Sequence, residues 1–315
     1  MRFDVWAPLL LPLLVAPLLA LPSVRSLPDR LPPRLAAWLL TGTAVGLAGA
    51  GAVALGLLAL SALLHVPFVA ARGHLDLPFA RHLAPSAVVP VGAAAGALLL
   101  LLAGRAARVL GRHRLERAVA WRSVGGPGVE QHGAGELAVL PDEVPDAYAL
   151  PGGLRRSGRI VVTSGMLRAL APAELDVLLA HERAHLTACH HRFLLLADLA
   201  AALHPLLRPL RDGAAYAVER WADEAAAVSV ADRRLVARAI GRAALAGGGR
   251  APLRMAAGPV PRRVAALLGA APARVRRGPV LVAALLVGVL SLSLGTALDA
   301  ATDLHAQVEV AQQGR

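Results

Sequence analysis

Lysine is absent from this 315-residue chain, cysteine occurs once, and aromatic residues make up only 3%. Each shortage excludes something. A single cysteine, Cys189, rules out an intrachain disulfide and a thiolate metal cage, and it reads as an ordinary small buried residue. Without lysine, the formal charge of +12 rests on arginine alone. Heavy use of Arg, Ala, Leu, Gly and Pro has the look of a GC-rich coding bias, so the placement of the arginines carries more meaning than their number. Few aromatics beside 56% hydrophobic residues, many in unbroken runs, do not suit the core of a soluble globule; they suit helices that cross a bilayer.

A helical span needs about 20 apolar residues. Four segments qualify: residues 5–21, interrupted by Pro8, Pro12 and Pro17; residues 35–64; residues 87–103; and residues 280–298. A cleaved signal peptide is the alternative for the first, but no small-residue cleavage site follows it. Arginines gather between the first two segments, directly after the third (Arg105 to Arg117) and directly before the fourth (Arg262 to Arg277). Basic residues stay on the cytoplasmic side. The expected topology therefore places the N-terminus outside a plasma membrane, residues 105–279 in the cytoplasm and the tail 299–315 outside. Because these arginines abut the spans, anionic lipid is their expected partner and nucleic-acid binding is not expected.

The expected fold is mainly α. Residues 1–104 form three spans, a cytosolic α+β domain fills 105–279, and a fourth span closes the chain. Within the domain, Gly125 to Gly135 reads as a loop, while Leu137–Leu140 and Arg159–Thr163 read as short strands. A helix is predicted from Pro172, tolerated in a first turn, to at least Leu186.

That helix carries His181-Glu182-Arg183-Ala184-His185. Histidines four apart share one helical face, so both rings can reach one Zn²⁺ at about 2.0–2.1 Å. Glu182 is placed to act as general base toward a water at the open coordination position. A third ligand is required, and Glu219 is the best candidate because it lies on a second predicted helix. Asp223, one turn later, suits a supporting hydrogen bond to a ligand histidine. A solvated acidic face paired with Arg220 is the plain alternative for both. His190 and His191 follow the motif but extend past its metal-facing turn, and are expected at an interface or in solvent. His204 and Tyr216 are candidate donors to the oxyanion of a tetrahedral intermediate. The segment 193–210 reads as a helical hairpin dipping toward the membrane surface.

The pair His181–His185 and Glu219–Asp223 resembles the gluzincin arrangement of membrane metallopeptidases, among them the CAAX prenyl protease and the heat-shock membrane protease. The order of spans is closer to the BlaR/MecR antirepressor family, and Tyr148–Gly153 followed by Ile160–Leu167 resembles that family's strand before the catalytic helix. The resemblance implies one Zn²⁺ on His181, His185 and Glu219, with Glu182 as base and Asp223 in support. It also implies a protein substrate such as a cytosolic transcriptional repressor or a regulatory membrane protein. Antibiotic-sensing members carry a penicillin-binding sensor after the last span. Only seventeen residues follow Leu298 here, so β-lactam sensing is not expected. An extended substrate is expected to add a strand beside Arg159, Ile160, Val161, Val162 and Thr163. General quality-control proteolysis, an intramembrane protease of the site-2 type, and a non-catalytic receptor or scaffold are the competing readings.

Overall fold

A computed structural model describes residues 11–64, 85–153, 156–247 and 259–269, together with positions 284, 287–293, 295 and 302. After a π-helical turn at Leu11–Val15, helices α1 (Ala16–Arg30), α2 (Pro33–Leu64) and α3 (Pro85–Val124) follow in order. Four strands come next: β1 (Glu130–His132), β2 (Leu137–Leu140), β3 (Ala147–Leu150) and β4 (Arg159–Thr163). The remaining helices are α4 (Ser164–Ala169), α5 (Pro172–Thr187), α6 (His190–Leu203), α7 (Arg208–Val230), α8 (Arg233–Gly247) and α9 (Pro259–Leu268).

Among the described residues, Pro33–Leu63 and Val88–Val124 are long and apolar enough to cross a bilayer, their most apolar stretches having mean hydropathies of 2.0 and 1.8. They pack tightly. A Cβ at Gly92 would come within 2.3 Å of Ala62 Cβ and 2.4 Å of Leu58 O, so only glycine permits this approach. Helix α3 does not stop where its apolar run ends; it continues through the arginine cluster as one rod to Val124. Of the first expected span, residues 5–10 lie outside the described residues, and 11–30 is helical. Most of the expected span 280–298 also lies outside them; positions 287–293 are helical.

Helices α5 and α6 would together make a third candidate span if their 63° bend lay within one crossing. Physical chemistry counts against that. Helix α5 lies against β3 and β4, and an open sheet edge is not tolerated in hydrocarbon. Helix α6 carries Asp198 in its middle, paired with His113 of α3 at 2.9 Å and Arg211 of α7 at 2.6 Å. The segment expected to form a dipping hairpin instead joins the largest core. Phe193, Ala197 and Ala200 of α6 and Leu210, Ala214 and Ala217 of α7 pack with Ala20 and Leu27 of α1 and Leu40 and Leu47 of α2. The membrane-type helices and the peptidase-type helices thus share one hydrophobic interior.

The sheet order is β1-β2-β4-β3. Strand β4 pairs parallel to β2 and antiparallel to β3, so Ile160, Val161 and Val162 have neighbours on both sides. The strand expected to receive substrate is therefore an inner strand with no free edge. Thr163 is committed to structure as well: its hydroxyl donates to Val144 O at 2.8 Å and accepts from the backbone N–H of Asp146 and Met166. The edge strands are β1 and β3, and β3 is the one that packs against α5.

Candidate metal and catalytic site

Helix α5 starts as its sequence dictates. Pro172 opens it, and the Glu174 carboxylate accepts from the backbone N–H of Ala171 at 3.0 Å, satisfying one donor the helix leaves unpaired. Its 3.6-residue repeat then turns His181 and His185 toward α7, where Glu219 stands one turn before Asp223.

The three side chains converge. His181 Nε2 and His185 Nε2 lie 3.1 Å apart, and each is 3.6 Å from an oxygen of Glu219. Bonds of about 2.0–2.1 Å in a tetrahedron require ligand–ligand edges of roughly 3.3–3.4 Å. The observed spacings straddle that value, so the residues present fit a zinc ion.

Each histidine is backed by a different chemistry. Behind His181, Asp223 Oδ1 stands 3.1 Å from Nδ1, and Asp223 is gripped by both arms of Arg263 at 2.6 and 2.7 Å. Arg263 Nη1 also reaches Glu219 Oε2 at 2.9 Å. Behind His185, the ring of His190 places its Nδ1 3.1 Å from His185 Nδ1. His190 is fully buried, with Trp221 at 4.6 Å and Phe193 at 6.4 Å between ring centroids. Cys189 makes this contact feasible. At φ 53° it adopts the left-handed conformation, which ends α5 and folds the next residue back.

The electrostatics follow. Burial opposes a charge on His181, but Asp223 and Glu219 beside it raise its pKa to about 10. Burial drives His185 down to about 4 against the pull of Glu219, with the charges of His181 and Arg263 adding to the lowering. Glu219 falls to about 2: burial works against its charge, but His181 and Arg263 more than compensate. Glu182 moves the other way, to about 7, chiefly through burial, with the Glu219 charge adding to it. A carboxylate poised near neutrality suits a general base.

Two hollows meet at His181, Glu182 and Glu219. One is a groove of about 330 Å³ between the open edge of β3 (Ala147, Tyr148, Ala149) and His191 and Leu194 of α6. The other is an apolar recess of about 210 Å³ lined by Val177, Leu178, Ile240 and Val260.

Other expected residues lie elsewhere. The Tyr216 hydroxyl donates to Asp29 at 2.9 Å, at the end of α1, and His204 Nε2 meets the carbonyl of Leu13 at 3.0 Å. Neither lines the two hollows, which corrects the expectation of an oxyanion role. His190 is buried behind a ligand rather than at an interface or in solvent. Arg263, which reads in the sequence as one of a juxtamembrane cluster, is buried in the site. The signal for it was indirect: two carboxylates four apart on one helix, Glu219 and the buried Asp223, need a cation, and the motif supplied none.

Residues 127–208 match the family model of peptidase family M48. The match begins before β1 and ends just past α6; it includes α5 and stops short of Glu219, Asp223 and Arg263. No curated protein and no solved structure matches the chain. Over that part, about a quarter of the chain, it is similar to M48 metallopeptidases, which depend on zinc, and the His181–His185–Glu219 group is where such an ion fits.

Proposed function

We propose that the chain is a membrane-anchored zinc endopeptidase of the BlaR/MecR antirepressor type, acting on a cytosolic repressor or a regulatory membrane protein. One observation carries the catalytic part. His181, His185 and Glu219 converge with tetrahedral spacing, and Glu182 sits beside them in the same cleft.

A bound zinc would supply Lewis acidity to water and to the scissile carbonyl. This chain's residues do the rest. Substrate lies extended along the open edge of β3, the edge that borders the groove, and pairs with its backbone as an added strand. Glu182 takes a proton from water as the oxygen adds to the carbonyl carbon. It returns that proton to the amide nitrogen as the carbon–nitrogen bond breaks, leaving a carboxylate and an amine. His191, on the opposite wall, is our candidate for contact with the carbonyl oxygen. The sheet packed on α5 favours cleavage outside the hydrocarbon layer over the intramembrane alternative. The arginines beside the spans support a cytoplasmic peptidase domain with an external N-terminus in the plasma membrane.

Comparing peptides from cells expressing wild type or Glu182→Gln tests this reading. Loss of specific cleavage products with zinc retained is expected. Unchanged products from the variant would refute it.

A further inference from the structure

Away from the catalytic groove lies a cleft of about 660 Å³, within the range of about 300–1,000 Å³ usual for small-molecule sites. It is formed where the end of α3 meets the turn between β1 and β2 and the start of β4. Trp121 forms one wall. The guanidinium carbons of Arg156 and Arg159 lie 5.5 and 5.7 Å from the centre of its ring. Neither arginine meets a carboxylate among the described residues. Glu136 borders the cleft, but its carboxylate accepts from Arg183 Nε at 2.8 Å. Two like charges thus share one aromatic ring without an anion between them.

The other wall is bare backbone. Gly133 and Gly135 take φ of 56° and 85°, conformations glycine adopts without strain. A Cβ on Gly135 would lie 3.4 Å from Arg159 Nη2, ordinary contact, so the guanidinium lies close against this turn. The amide of Gln131 adds a neutral polar group. Paired planar guanidiniums match the oxygens of phosphate bidentately, and the ring holds them in place.

The position along α3 favours a soluble ligand over a lipid headgroup if that helix stands upright in the bilayer. From Gly104, where the apolar part of α3 ends, to Trp121 the helix rises roughly 25 Å. The headgroup layer extends only about 5–8 Å beyond the hydrocarbon.

We infer that this cleft binds a soluble phosphate-bearing small molecule through Arg156 and Arg159 on Trp121. Trp121 Nε1 donates to Pro151 O at 3.3 Å, and Pro151 borders the catalytic groove, so one hydrogen bond links the two clefts.

The test is calorimetric titration of inorganic pyrophosphate into the full chain in nanodiscs of zwitterionic lipid, with Trp121 contributing to a parallel fluorescence signal. Saturable binding is expected, weakened about tenfold or more by Arg156→Gln with Arg159→Gln, with zinc content unchanged. Should the change in β4 perturb folding, exposed Arg156→Gln alone must still weaken binding. Heat that is indifferent to these substitutions would place pyrophosphate on the metal instead and overturn the inference. So would an absence of saturation, competition from anionic-lipid nanodiscs, or binding of an oligoglutamate peptide where pyrophosphate fails.

Discussion

The two sides of the candidate metal site are built from opposite materials. His181 is backed by charge: a buried carboxylate, Asp223, held in a two-pronged grip by Arg263. His185 is backed by an uncharged ring, His190, enclosed by Trp221 and Phe193. A carboxylate behind a ligand imidazole raises its basicity and orients it. A buried neutral ring can orient but adds no charge. The same divergence separates the two metal-free histidines, one raised to about 10 and the other lowered to about 4. One ligand thus holds a proton that zinc must displace, while the other is already neutral.

Breaking the charged side should do the most damage. Arg263→Leu leaves Asp223 and Glu219 without their cation, and removing one partner of a buried pair costs about 3–5 kcal/mol. A lower thermal unfolding midpoint and a loss of bound metal are expected; an unchanged midpoint with full zinc would show that the arginine is dispensable.

On the uncharged side the effect should be smaller and confined to metal. His190→Ala removes the neighbour that orients His185, for an expected loss of about 10–100-fold in zinc affinity by chelator competition. Equal affinity would mean that the aromatic cage, not the ring nitrogen, does the orienting.

The mildest probe is pH. With Glu182 at about 7 in the metal-free site, protonation removes the base as pH falls. The rate at low substrate should decline on the acid side with a limb at or below about 7, since a nearby cation can only lower that value. An acid limb centred well above about 7 would belong to another group.

The charged and uncharged halves were not equally legible in the sequence. Helix α5 announces itself by periodicity, a proline start and the histidine spacing, and the structure places it at Pro172–Thr187, close to the predicted span. The strands at 137–140 and 159–163 were readable from β-branched runs between turns. Their order was not. Nothing in Arg159–Thr163 says that both edges are taken, and β3, with Ala147, Tyr148 and Ala149, has no strong strand signature. Glu219 and Asp223 could be suspected because they share a helical face. Arg263 could not, since 40 residues separate it from Asp223 and it sits among arginines that look like a membrane flank. His190 was misread because continuing α5 as an ideal helix points it away from the metal; the left-handed turn at Cys189 reverses that, and no local pattern marks it.

Zinc stoichiometry in Glu219→Ala, measured by elemental analysis of the purified full chain beside wild type, bears most directly on the whole account. One zinc per wild-type chain, with at most a small residue in the variant, is the expected result. Full retention of the metal after Glu219 is removed, or a wild-type chain that takes up none when zinc is supplied, would contradict it.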